Sequence, residues 1–237
     1  MKTLSRILVA SLFLLTAASS YAASAFEGKI SLMISAEKKG KTQNLDYSIK
    51  GQKVRMDMNA EGNTIATIMD MEKLEMTMLM PEQKMYMVHP IKKPVEAAAE
   101  KAGQSTAEIE VTGKTEQILG YTCNQVLIKD KGTVTEAWLA EGLASFQGLG
   151  APGGGGGPFG GGKKSANAAK WEEALKGKGG FPLRVITRDA KGKDTFKMEA
   201  TKVEPGPLDD SLFAAPADYQ KFQIPGLGGL LKGMGGG

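Results

Sequence analysis

From Phe26 to Val88, apolar and polar residues alternate in six short runs: Glu27–Ser35, Thr42–Lys50, Lys53–Asn59, Thr64–Asp70, Leu74–Met80 and Lys84–Val88. Turn-forming stretches separate them, among them Lys39-Gly40-Lys41, Gly51-Gln52, Ala60-Glu61-Gly62-Asn63, Met71-Glu72-Lys73 and Pro81-Glu82-Gln83. A period of two belongs to strands, and short runs at this spacing predict an antiparallel meander with one buried and one wetter face. Strands resume at Glu108–Thr112, Thr115–Leu119, Tyr121–Lys129, Val134–Leu139, Leu183–Arg188 and Thr195–Val203, the last two joined by the turn Asp189-Ala190-Lys191-Gly192. A sheet that large must twist strongly or curl to bury one face.

Two segments have a different texture. Val95–Ala102 is rich in good helix formers, and Ser165–Lys176 reads as a short helix with Ser165 as N-cap and Gly177 as stop. The expected fold is therefore α+β: one large curved antiparallel sheet forming a half-barrel, with short helices covering its concave face. A single domain is expected over residues 26–222. It is interrupted by a mobile Gly-rich insert at 148–164 and followed by a disordered Gly-rich tail at 223–237. Leu208–Tyr219 is expected to dock the C-terminus through Phe213 and Tyr219, with Pro216 ending a short helical turn.

The first residues predict export. Lys2 and Arg6 precede an apolar run, Ile7–Ala17, and small residues follow to Ala25, the pattern of a cleavable signal peptide over residues 1–22. Cleavage after Ala22 or after Ala25 both place a small residue three positions before the cut. The run is too short to span a bilayer, which takes roughly 20 apolar residues, so no transmembrane segment is expected. No cysteine stands at the junction for lipid attachment. The expectation is a soluble, monomeric periplasmic protein that is not a lipoprotein. Removing residues 1–22 leaves 28 basic against 26 acidic residues, a balance without the basic footprint of a nucleic-acid binder.

Nine of the thirteen methionines lie between residues 56 and 87. Met56/Met58, Met69/Met71, Met76/Met78/Met80 and Met85/Met87 recur at spacing two, which in strands puts each set on one face. Arg55, Asp57, Asp70, Glu75 and Thr77 fall on the other face. Three readings fit these residues: ordinary core packing, a pliable surface for a lipid or other apolar small molecule, or a soft-metal site. In the third, Met76, Met78, Met85 and Met87 would hold Cu(I) with His89, which shares the face of Met87. An interaction protein without a small-molecule ligand is a further alternative, with the glycine insert as its contact arm.

No catalytic constellation emerges. Gly157–Lys164 lacks the hydroxyl residue and the preceding strand of a phosphate loop. Glu172/Glu173 and Asp209/Asp210 read as surface or capping carboxylates, and Ser211 has no nearby histidine. Cys123, the single cysteine, reads as a buried inert thiol that forms no intramolecular disulfide. A non-enzymatic protein without a cofactor is expected.

A set of short motifs runs in order along the chain: Tyr47-Ser48-Ile49-Lys50-Gly51, Lys53-Val54-Arg55, Ile68-Met69-Asp70 and Pro81-Glu82-Gln83-Lys84-Met85-Tyr86. Gly120-Tyr121-Thr122-Cys123, Glu136-Ala137-Trp138-Leu139 and Leu208-Asp209-Asp210-Ser211-Leu212-Phe213 complete it, with Pro216 and Tyr219 beyond. Together they resemble an exported bacterial family, domain-of-unknown-function family 4412. More distantly they are similar to the LolA-like lipoprotein-carrier fold, an incomplete antiparallel barrel closed by helices. The resemblance implies a half-barrel with an apolar cavity. It carries no assigned activity, and the glycine insert departs from a compact carrier.

Overall fold

The structure, a computed structural model, describes residues 26–36, 42–60, 63–91, 107–144, 146, 175 and 180–222. The expected signal peptide, the Val95–Ala102 helix, the glycine insert and the tail lie outside the described residues. So does the Ser165–Lys176 helix, except for Leu175.

The described residues contain twelve strands: β1 (Gly28–Ala36), β2 (Thr42–Lys50), β3 (Lys53–Ala60), β4 (Asn63–Asp70), β5 (Glu75–Met80), β6 (Met85–Pro90), β7 (Glu108–Ile118), β8 (Tyr121–Asp130), β9 (Thr133–Ala140), β10 (Phe181–Arg188), β11 (Asp194–Pro205) and β12 (Gln220–Lys221). They form one sheet in the order β12-β6-β5-β4-β3-β2-β1-β11-β10-β9-β8-β7. Two meanders, β1–β6 and β7–β11, are thus joined where β1 pairs with β11, from Gly28↔Pro205 to Ala36↔Phe196. Local turn chemistry sets the hairpins. Leu119-Gly120 and Lys131-Gly132 place two successive residues at positive φ (52° and 84°; 46° and 79°). That is the two-residue turn whose twist matches the flanking strands.

Alternation then sorts the side chains. One face, here called inner, carries Ile30, Leu32, Leu45, Tyr47, Met56, Val185 and Met198, all buried. At its centre Tyr47 meets Phe181 edge-on at 5.1 Å, and Phe146 packs on both, at 6.1 Å from Tyr47 and 5.4 Å from Phe181. Each such aliphatic or aromatic side chain taken from water contributes about 1.5–3 kcal/mol. Leu143 and Leu175 join this cluster.

The expectation of an α+β half-barrel with helices over a concave face is corrected. The sheet is open: its terminal strands, β12 and β7, stand at opposite ends of the order and do not pair with each other. It does not close into a barrel. Among the described residues no helix covers either face: of the segment expected to do so only Leu175 is described, and the other helical elements described are 3-10 turns at Pro81–Gln83 and Asp210–Phe213. Period-two alternation demands that a face be buried but does not specify what buries it. At the free end, β7 is one strand where the sequence suggests two. A bulge between Val111 and Thr115, with Gly113 at φ 73°, interrupts its register on β8. Glu108, Glu110 and Lys114 are exposed along it. Bulges and charges of this kind keep an edge from recruiting another chain.

After β11 the chain crosses the outer face of β1–β5 as a strap and reaches the edge of β6. The Leu208 amide donates to Glu27 Oε1 (2.7 Å) and Lys50 Nζ to the Leu208 carbonyl (2.7 Å). Arg55 Nη1 donates to the Leu212 carbonyl (3.0 Å). Phe213 is buried against Ala66, Ile68 and Leu79, with Tyr86 and Tyr219 packed beside them. Asp209 caps the 3-10 turn by accepting from the Ser211 amide, and β12 then lies parallel to β6 at Met85 and Tyr86. The predicted docking of Leu208–Tyr219 through Phe213 and Tyr219 is what the chain does.

Candidate functional site

The strand register decides which methionines meet. Met58 stands opposite Leu45 and Met56 opposite Tyr47, and both are buried in the central core. Met69 on β4 faces Met76 on β5, and these too are buried. Met71 leaves the pattern: it lies in the turn after β4, where its amide donates to the Gln52 carbonyl (3.0 Å). On β5 and β6 three cross-strand pairs follow one another on the inner face: Met76↔His89, Met78↔Met87 and Met80↔Met85. Except for the buried Met76, these residues are only half-buried. The nine predicted methionines therefore divide into four core residues, one turn residue and a half-buried group on β5 and β6. Met76 belongs to both the core and the ladder that this group forms with His89.

The outer face behind the ladder is closed. Apolar residues at its positions on β4 and β5, Ala66, Ile68 and Leu79, are covered by the strap through Phe213. That double-sided burial is legible as apolar residues on the face otherwise read as polar. Arg55 and Asp57, predicted on this face, form an ion pair in which Arg55 Nε donates to both carboxylate oxygens (2.8 and 3.0 Å).

Sequence reasoning passes over an open depression of about 410 Å³, lined by Ser31, Leu32, Asn44, Asp46, Asp57, Met58, Asn59, Thr64 and Thr201. A bulge in the β1–β11 pairing leaves Thr201 without an opposite residue and helps to open it. Both its carboxylates are engaged, Asp46 with the Ser31 hydroxyl (2.7 Å) and Lys29 (3.7 Å), Asp57 with Arg55. Its signal in the sequence, polar residues at every second position, is the same as that of any wet strand face.

At the far end of the sheet the outer face carries a lattice of ions. Arg184 bridges Glu116 (2.8 Å) and Glu199 (3.1 Å), while Arg188 bridges Glu136 (3.0 Å) and Asp194 (3.0 Å). Burial works to raise the Glu136 carboxyl, but hydrogen bonds from Arg188, Trp138 and Gln125 outweigh it and hold it below the usual range. Cys123 is fully buried, and burial pushes its thiol up, as suits an inert core residue. Trp138 is likewise buried, its indole N–H donating to Glu136 (2.7 Å).

Among the described residues no helix is long and apolar enough to cross a membrane, and no three His, Cys, Asp or Glu side chains gather as a metal site. Fold and site together define a β-sheet protein of one open, mostly antiparallel sheet, strapped behind and methionine-faced at one end in front. The chain belongs to the family described as domain of unknown function (DUF4412), which it matches over residues 26–219. No curated protein matches it. Among solved structures it is similar to an uncharacterized conserved protein from Thermus thermophilus (TM-score 0.48, 10% identity, 84% of this chain and 91% of that one). It is also similar to PNGF-II (TM-score 0.45, 16% identity, 88% of this chain and 33% of that one). A third similarity is to the MucA/MucB complex of Pseudomonas aeruginosa (TM-score 0.45, 12% identity, 84% of this chain and 58% of that one). The chain spans less than two thirds of the last two.

Proposed function

We propose that this is an exported, non-enzymatic binding protein that takes an apolar or lipid-like ligand on the methionine ladder of β5 and β6. One observation carries the reading: Met78, Met80, Met85 and Met87 are paired across strands on the inner face yet stay half-buried, whereas Met56, Met58 and Met69 are core. Thioether side chains adapt to variable apolar shapes, and the strap stiffens the strands behind them. The N-terminal pattern supports export. The non-enzymatic reading rests on where the reactive groups sit: Cys123 is buried, and Ser211 sits in a turn capped by Asp209.

The test is native mass spectrometry of the mature protein purified from a cell envelope, followed by titration with fatty acids and an apolar fluorophore. A co-purified lipid, or saturable fluorophore binding displaced by fatty acid, is expected. A chain that carries no lipid and responds to neither probe overturns the reading.

A further inference from the structure

We propose that the β5–β6 ladder is a site for Cu(I), held by Met76, Met78, Met87 and His89, with Met80 and Met85 extending the donor row. The proposal goes beyond apolar-ligand binding, because it uses the sulphur lone pairs of these side chains and not their apolar area. Six inner-face positions on two adjacent strands all carry a thioether or an imidazole, in three successive opposed pairs. Directly opposed side chains in an antiparallel pair have Cβ atoms about 4.5–5.5 Å apart. The three flexible thioethers and the imidazole of two adjacent pairs can therefore converge on one ion without moving the backbone.

The other end of the same face shows that apolar burial does not call for methionine. There β8, β9 and β10 bury Val126, Ile128, Ala137, Leu139 and Val185. Thioether and imidazole donors suit Cu(I), whereas magnesium and calcium take oxygen ligands. The donor set is neutral, so a monovalent ion leaves less charge to accommodate on a half-buried apolar face than a divalent one would. Thioethers also need no deprotonation to bind and form no disulfides, which fits a chain destined for an oxidising compartment. Half-burial of Met78, Met87 and His89 leaves the ion a path in, while buried Met76 and Met69 close the site below.

The experiment is anaerobic Cu(I) titration of the mature protein against a colorimetric Cu(I) chelator, with X-ray absorption on the loaded protein. One Cu(I) per chain retained against the chelator is expected, with sulphur and nitrogen scatterers. The Met78→Leu/Met87→Leu and His89→Leu variants should each weaken it at least about tenfold, the loss caused even by removing the outer partners of a metal site. No retained copper overturns the proposal, as do leucine variants that bind like the parent. A loaded protein without sulphur scatterers overturns it independently of how any variant folds. The fluorophore and fatty-acid titration is run on the unmutated protein beside the copper titration, so that each reading is scored by itself. Copper retained without fluorophore binding sustains this proposal and sinks the apolar-ligand reading, whereas fluorophore binding without retained copper rejects it and leaves that reading in place.

Discussion

The two ends of the sheet solve the same packing problem differently. At the β8–β10 end the inner face is built of Val, Ile, Ala and Leu, and the outer face is an ionic lattice around Arg184 and Arg188. At the β4–β6 end the inner face is mostly methionine, and the outer face is apolar where the strap seals it at Phe213. Branched aliphatics have few rotamers and pack one way, whereas methionine fills irregular space and yields. The second end can keep a pliable front because its back is closed by a separate segment. Pliability and rigidity are thereby assigned to opposite faces of the same strands.

The largest test of that contrast is Phe213→Ala, which should cost toward the lower end of the ~3–5 kcal/mol typical of Phe truncation, since its cluster is small. Hydrogen exchange should then quicken in β5 and β6 while β8 and β9 keep their protection. Equal loosening of both ends would break the comparison. Next comes a pair of methionines on one face. Met58→Ala, in the core, should destabilise by about 2–5 kcal/mol in urea unfolding, whereas half-buried Met87→Ala should cost about 1 kcal/mol. Similar losses at both positions would mean that the ladder is simply more core.

The smallest effect is on pH. Hydrogen bonding to Lys84 lowers the Asp218 carboxyl, and hydrogen bonding to Asp210 and Asp218 raises the ammonium groups of Lys50 and Lys84. The Asp218 contribution is complete above its unfolded value, about 3.9, and is lost as pH falls through the lower folded value. The lysine contributions are complete below about 10.4 and are lost as pH rises through the raised folded values. Protection of the Leu208–Phe222 amides, corrected for intrinsic exchange, should therefore be greatest between roughly pH 4 and pH 10. Flat protection outside that window would show that Phe213, and not the ion pairs, holds the strap.

Much of this architecture is legible in the residues alone. β2 runs over the residues expected of it, Thr42–Lys50, and the turns at Gly120 and Asp189–Gly192 stand where turn residues cluster. Met56, Met58 and Met76 share one face, as their spacing requires. Met71 does not, because the chain turns after Asp70, whose Oδ1 accepts the Glu72 and Lys73 amides (3.1 and 2.9 Å). The bulged β7 reads as two strands because Gly113 looks like a break, and β12 leaves no signal because two residues carry no period. Ile68 and Leu79 are the one available sign that the outer face needs a cover.

Alternation and turn chemistry act between residues a few positions apart, and they suffice for the strands, their hairpins and the facing of the methionines. They do not reach the rest. That β11 seals β1, that the sheet stays open, that the strap backs β4–β6, and which methionines remain half-buried are all settled by tertiary contacts. Those outcomes depend on segments up to some 180 residues apart, such as Glu27 and Leu208. Their pairing is a competition among burial, edge protection and chain closure. That competition is settled by the whole surface being buried, and no local pattern along the chain records it.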